Sequence, residues 1–174
     1  MAVSVMVLET ERLFLRHLVP DDDAFILELL NEPGFLENIG DRHVRTLEDA
    51  RRYVADGPAA SYARHGFGLW WAGLKASGEP VGICGLIKRE VLDHPDIGYA
   101  FLARFSGQGF ASEAAAAVLA HGRKALGLGR IVAITKPDND GSIRVLEKIG
   151  LRPEGMVTLP DHGGDSRYFV SDPA

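Results

Sequence analysis

Asp96-Ile97-Gly98-Tyr99-Ala100-Phe101-Leu102-Ala103-Arg104-Phe105-Ser106-Gly107-Gln108-Gly109-Phe110-Ala111-Ser112-Glu113-Ala114 is the stretch that decides the fold. An extended segment, Asp96 to Leu102, enters a turn with glycines at 107 and 109, and an alanine-rich helix follows to about Leu126. Glycines there let the backbone approach a ligand closely. The helix beyond aims unpaired N–H groups, and a dipole end worth roughly half a charge, back into the turn. A phosphate or pyrophosphate suits that place. The same turn also fits a tight connection whose glycines serve packing alone, because short glycine motifs are non-specific. A dinucleotide-binding turn fits less well: G-x-G-x-x-S lacks the third glycine, and the preceding strand belongs to a meander. The P-loop pattern does not occur.

Upstream, the apolar runs Phe67 to Leu74 and Val81 to Ile87 are joined by Lys75-Ala76-Ser77-Gly78-Glu79 and read as a hairpin. Leu8 to Leu18 alternates as one first strand. Pro20 and Asp21 to Asp23 open a helix with Phe25, Ile26, Leu29 and Leu30 on one face, stopped at Asn31-Glu32-Pro33-Gly34. Thr46 to Asp49 resembles a capping box for a helix to about Ala55; Gly57 to Ser61 is turn-like, with a helical extension through Arg64 as the alternative. Downstream, Ala111, Ala115, Val118, Leu119, Gly122 and Leu126 share one stripe of the long helix. A short strand, Ile131 to Thr135, precedes a helix capped by Asn139 or Asp140 and ended by Gly150. Strands near Leu151 to Met156 and Arg167 to Val170 close the chain. This order of hairpins, then strand–helix–strand, is of the α/β class: one domain, 1–174, around a central mixed, mostly antiparallel sheet flanked by helices.

Composition narrows the function classes. The chain has 174 residues, 46% apolar and 25% charged, as in ordinary soluble domains. A net charge of −5 disfavours a nucleic-acid partner. Cys84 is the only cysteine, so no internal disulfide forms. No run approaches ~18 apolar residues, and Met1 to Leu8 has no basic n-region, so neither a membrane span nor a signal peptide is expected. The expected location is cytoplasmic. The six histidines lack zinc spacing, and no metal site is expected. Cys84, in an apolar run, reads as a core residue. No G-x-S-x-G elbow occurs. Trp70 and Trp71 adjoin in a strand and so face opposite sides; one suits the core and the other an acceptor pocket.

The opening stretch resembles the acetyl-CoA motif of the GNAT N-acetyltransferase superfamily, most closely the branch that acetylates ribosomal-protein N-termini. Two further segments share the resemblance: Leu8-Glu9-Thr10-Glu11-Arg12-Leu13 with Leu15-Arg16, and Asn139-Asp140-Gly141-Ser142 running through Val145-Leu146-Glu147-Lys148 to Gly150-Leu151. The resemblance implies a GNAT domain that passes acetyl from acetyl-CoA, its cosubstrate, to an amine. It also implies that Gly107, Gln108, Gly109, Phe110, Ala111 and Ser112 hold the pyrophosphate, and that Phe101 and Leu102 lend backbone groups to the pantetheine arm. Asn139 reads either as a helix cap or as a partner of that arm. Lys148 reads as a solvated lysine or as a contact to a cofactor phosphate.

Two departures from the family pattern stand out. Ser106 replaces a larger residue at the head of the loop. Leu146 stands where many relatives place a tyrosine general acid, so that mechanism does not carry over. The resemblance then points to Ser142, whose alternative role is helix capping. Asp96 matches a strand carboxylate that serves as general base in parts of the superfamily; its plainer reading is an exposed strand-end acid. Glu90, Asp93 and His94 are rivals. The acceptor is a protein N-terminus or a small-molecule amine, with specificity expected in Glu32 to Val44 and Pro160 to Asp165. Monomer and homodimer stay open. The non-enzyme alternative is an acyl-CoA-binding or sensing module on the same fold.

Overall fold

A strand pair not separated in the sequence opens the chain. In the computed structural model, which describes residues 4–160 and 164–172, β1 (Met6–Glu9) and β2 (Leu13–Arg16) are antiparallel. The single strand expected over Leu8 to Leu18 is therefore a hairpin, turned at Thr10-Glu11-Arg12. Thr10 makes this turn: its N–H donates to Leu13 O at 2.8 Å, and its Oγ1 accepts the Leu13 N–H at 3.0 Å.

Four short helices follow: α1 (Asp23–Leu30), α2 (Pro33–Asn38), α3 (Leu47–Val54) and α4 (Ala60–His65). Pro33 ends α1 as expected, and it also starts α2, because proline suits a first helical position. The Thr46–Asp49 capping box is present at α3. Between α3 and α4 the chain stays helical through one wide π turn, Ala55–Ala59. Pro58 lies within it; the widened turn accommodates a ring that would clash in a regular α turn.

The sheet has eight strands in the order β1-β2-β3-β4-β5-β6-β8-β7, with β3 (Leu69–Leu74), β4 (Pro80–Ile87), β5 (Asp96–Phe101), β6 (Val132–Thr135), β7 (Arg152–Thr158) and β8 (Asp165–Val170). Every neighbouring pair is antiparallel except β5 and β6. The expected α/β class with a mixed, mostly antiparallel sheet is what the chain forms. The glycine turn leads from β5 into α5 (Phe110–Lys124), and α6 (Asp140–Lys148) connects β6 to β7.

Each face of the sheet carries its own core. One gathers Leu13, Trp70, Leu86, Val118, Leu146 and Phe169 beneath α5 and α6. The other gathers Ile26, Leu29, Phe35, Val54, Trp71 and Ile83 beneath α1, α2 and α3. Trp70 and Trp71 thus do split between faces, but both are core residues and neither lines the cleft described below.

The feature that positions the site is a gap in the sheet. β5 and β6 are paired at Asp96–Val132, with the Val132 N–H donating to Pro95 O at 2.9 Å, and diverge beyond that point. On the other side of β5, the Leu102 N–H donates to Val81 O at 2.8 Å. Hydrogen-bonded and non-bonded positions alternate along an antiparallel ladder, so the backbone groups of Tyr99 and Phe101 face away from β4, toward the gap.

Candidate active site

The gap widens into a cleft of about 760 Å³ that reaches both faces of the sheet. Residues of β5 alternate between the two sides. Tyr99 and Phe101 pack with the core under α5 and α6, whereas Ala100 packs with the core under α1 to α3. Asp96 shares the parity of Ala100. The cleft is therefore a passage: Ser106, Ala111, Asn139 and Ser142 line one end, and Glu32, Phe35, Ile39 and Arg42 line the other.

At the first end lies the glycine turn. Gly107 and Gly109 have φ of 76° and 83°, the left-handed region that favours glycine. The Glu113 N–H donates to Gly109 O at 3.0 Å, so the N–H groups of Phe110, Ala111 and Ser112 precede the first intrahelical bond. No side chain caps them. Gln108 and the two glycines form an exposed rim, Phe110 is buried beneath it, and the Ser106 hydroxyl turns back to Ala103 O at 2.6 Å.

The β1–β2 turn braces this loop from outside. Arg12 Nη1 donates to Gln108 O at 2.9 Å, Arg12 Nε meets Glu113 Oε1 at 2.8 Å, and the guanidinium lies 4.3 Å from the Phe110 ring centre. Glu113 Oε2 accepts from the Arg12 N–H at 2.9 Å and from Thr10 Oγ1 at 2.5 Å. Burial opposes ionisation of Glu113, but these donors outweigh it and lower its pKa. Two separate motifs, Thr10–Arg12 and Glu113, are thus halves of one clasp. Their spacing along the chain hid this.

Asp96 departs from the exposed reading: it is only 1% accessible. Burial pushes its pKa up to about 6, against the pull of Arg89, whose Nε lies 3.1 Å from Oδ1. An acid raised into that range exchanges protons near neutrality. Its rivals sit elsewhere: Glu90 and Asp93 are exposed, His94 is half-buried, and none lines the cleft.

Ser142 is not the cap of α6. Asn139 is, its Oδ1 accepting the Ser142 N–H at 3.3 Å. The Ser142 Oγ instead lies 2.8 Å from the Tyr99 hydroxyl, which is also 3.2 Å from Ser142 O. Burial pushes the Tyr99 pKa up to about 12, so it is protonated at neutral pH and available as a donor. Tyr99 lies within the stretch Asp96 to Ala114, and nothing in that stretch alone marks it for a role. Its position in β5 was readable; its contact with α6 was not.

The remaining expected residues divide. Phe101 faces the gap, but the Leu102 N–H is bonded to Val81 and its carbonyl accepts the Phe105 N–H at 2.9 Å, so Tyr99 is Phe101's companion on the open edge. Ser112 lies in the first turn of α5. Lys148 is exposed at the far end of α6 and does not line the cleft. The Glu32 to Val44 loop contributes several cleft residues; of Pro160 to Asp165, residues 161–163 lie outside the described residues. Among the described residues no three His, Cys, Asp or Glu side chains cluster as a metal site would require, and no helix is long and apolar enough to cross a membrane. Cys84 is fully buried.

Known proteins share this fold. An acetyltransferase (GNAT) domain family model matches residues 12–152. The uncharacterized protein YkkB of Bacillus subtilis strain 168 is 34% identical over 149 residues, 83% of this chain and 84% of its own. A GNAT-family acetyltransferase structure from Bacillus anthracis superposes with a TM-score of 0.78 at 30% identity, covering 95% of this chain and 97% of that one. A ribosomal L7/L12 α-N-protein acetyltransferase in complex with coenzyme A has the same fold, with a TM-score of 0.81 at 20% identity over 96% of this chain and 97% of its own.

Proposed function

Because the chain belongs to the GNAT acetyltransferase family, we propose that it transfers the acetyl group of acetyl-CoA to a primary amine that enters from the opposite face of the sheet. The observation that carries this reading is the passage between β5 and β6. It lets a donor and an acceptor meet without sharing a side of the molecule.

The residues at hand suit coenzyme A. The open edge of Tyr99 and Phe101 offers backbone donors and acceptors to an amide-bearing arm, as an added strand would. The free N–H groups at the start of α5, with Gly107 and Gly109, suit a pyrophosphate. When bound, the cosubstrate supplies the activated acetyl group as a thioester. Asp96, directly or through water, takes the proton of the acceptor ammonium. The amine nitrogen then bonds to the acetyl carbonyl carbon, the carbon–sulfur bond breaks, sulfur leaves with the electron pair, and the surplus proton on nitrogen ends on that sulfur, giving the neutral amide and the free thiol. The Ser142 and Tyr99 hydroxyls donate to the departing sulfur, a role that Leu146, buried and without a proton to give, does not fill.

Acetyl-CoA with a panel of N-terminal peptides, amino acids, polyamines and aminoglycosides, followed by free thiol release, tests the proposal. Thiol release that depends on one amine class is the expected result. Coenzyme A binding without turnover of any amine would make the chain an acyl-CoA-binding module, and no binding at all would overturn the reading.

A further inference from the structure

The acceptor end of the passage has its own chemistry. Most charged groups there are already engaged. Both Glu32 carboxylate oxygens accept the Ala103 N–H, at 3.1 and 3.2 Å. Arg89 is held by Asp96, and Lys136 Nζ donates to Glu37 O at 3.0 Å. Two groups remain. Among the described residues, the Arg42 guanidinium has no ion pair or hydrogen bond, and neither does the Tyr53 hydroxyl. Both line the cleft. They are near enough to interact: burial raises the Tyr53 pKa while the Arg42 charge pulls it down. Around them Phe35, Ile39, Leu69, Ile83 and Ile87 give an apolar wall. The Glu37 side chain is the counter-charge at this end, and it is exposed at the rim.

Resting on the acetyltransferase reading above, we infer that the acceptor is an amine that also carries a carboxylate and an apolar body, with the carboxylate seated on Arg42 and the Tyr53 hydroxyl. A planar carboxylate matches the two-pronged guanidinium, and a phenol adds a third donor. The apolar wall suits an aliphatic or aromatic side chain on the same molecule. A polycation such as a polyamine would instead bring an extra charge toward Arg42, which makes no ion pair among the described residues.

The test compares L-leucine and L-phenylalanine with their amides at saturating acetyl-CoA, with rates corrected for the fraction of free amine. The acids are expected to exceed the amides by at least about tenfold in kcat/KM, mainly through KM, as for a charge-assisted bond. Arg42→Gln is expected to bring the ratio to within about twofold, Arg42→Lys to restore part of it, and Tyr53→Phe to lower it by a few fold. Equal rates for acid and amide in the unaltered protein, or a ratio that survives Arg42→Gln, would overturn the inference. So would a preference for spermidine or kanamycin, or for O-phosphoethanolamine without discrimination between acid and amide; in those cases acetyl transfer itself still stands. If no amine turns over, calorimetric titration of the CoA-loaded protein with N-acetyl-leucine and N-acetyl-leucinamide decides: tighter binding of the acid supports the inference, and indifference overturns it. Failure to bind coenzyme A at all is the separate result that removes the acetyltransferase reading.

Discussion

Burying Asp96 sets its basicity and its effect on stability together. Its carboxyl titrates at about 6 in the folded chain, against the ordinary 3.8. Above pH 6 it is ionised whether the chain is folded or not, and the whole penalty of burying the charge is present. As pH falls from 6 toward 4, the folded state takes up a proton that the unfolded state does not, so this group's penalty disappears. The shift corresponds to about 3 kcal/mol as an upper bound. Asp96→Asn is thus expected to raise the melting temperature at pH 8, with roughly half of the gain gone at pH 5 and most of it gone at pH 4, while lowering turnover by roughly 10²–10⁴-fold. On the proposed reading, the unaltered protein is expected to lose kcat/KM below an acidic limb near pH 6. A variant that keeps the limb removes Asp96 as the base, whereas one that melts earlier at pH 8 shows that the pair with Arg89 outweighs the penalty of burial. Ser142→Ala belongs to the same scale. Since Asn139 caps α6, stability is expected to change little, whereas kcat falls and the KM for acetyl-CoA holds. Asn139→Ala is expected to show the converse, a loss of about 1 kcal/mol. The cap was readable because such a residue acts on its own helix. The burial of Asp96 was not, because its pairing partners, Ile87 and Val132, come from β4 and β6.

Elements were legible where their signals are local. The β3–β4 hairpin, the capping box of α3 and the glycine turn before α5 all lie close to the expected limits. Gly57 and Pro58 suit a break, but of the two readings it is the helical extension through Arg64 that forms, because the widened turn lets helical bonding continue through them. The β1–β2 turn was missed because Thr10-Glu11-Arg12 carries none of the usual glycine or proline. That turn has an effect at a distance. Arg12→Ala removes the bond to Gln108 O, the pair with Glu113 and the ring contact together. It is expected to raise the KM for acetyl-CoA about tenfold or more with a much smaller change in kcat, as steady-state kinetics would show. Gly109→Val acts on the same loop from within. At φ 83° a side chain is strained by roughly 1–2 kcal/mol, and its Cβ would stand 3.4 Å from Arg12 Nη2. Calorimetry is expected to show loss of coenzyme A affinity in a protein that still folds; unchanged affinity would move the pyrophosphate elsewhere.

At the scale of the molecule, the order of hairpins and the strand–helix–strand unit were enough to give the fold class. The divergence of β5 from β6 was not, because adjacent strands pair or part according to what packs on both faces. Strands β1 to β5 and β6 to β8 meet at one paired position. A ligand that bonds β5 along the gap and also rests against α6 would join the two halves. Coenzyme A at about 100 times its dissociation constant is expected to add about 2.7 kcal/mol, read as a rise of roughly 5–10 °C in melting temperature. No rise would mean that the folded chain does not bind coenzyme A. The paired tryptophans offer an optical view of the same architecture. Trp70 sits edge-on to His121 under α5, and Trp71 stacks against Arg16 at 3.9 Å on the other face. Replacing either with phenylalanine leaves a single indole emitter in one layer. Each half of the core then has its own fluorescence, and the two emission curves will show whether heat or denaturant dissolves the layers in one step or in succession.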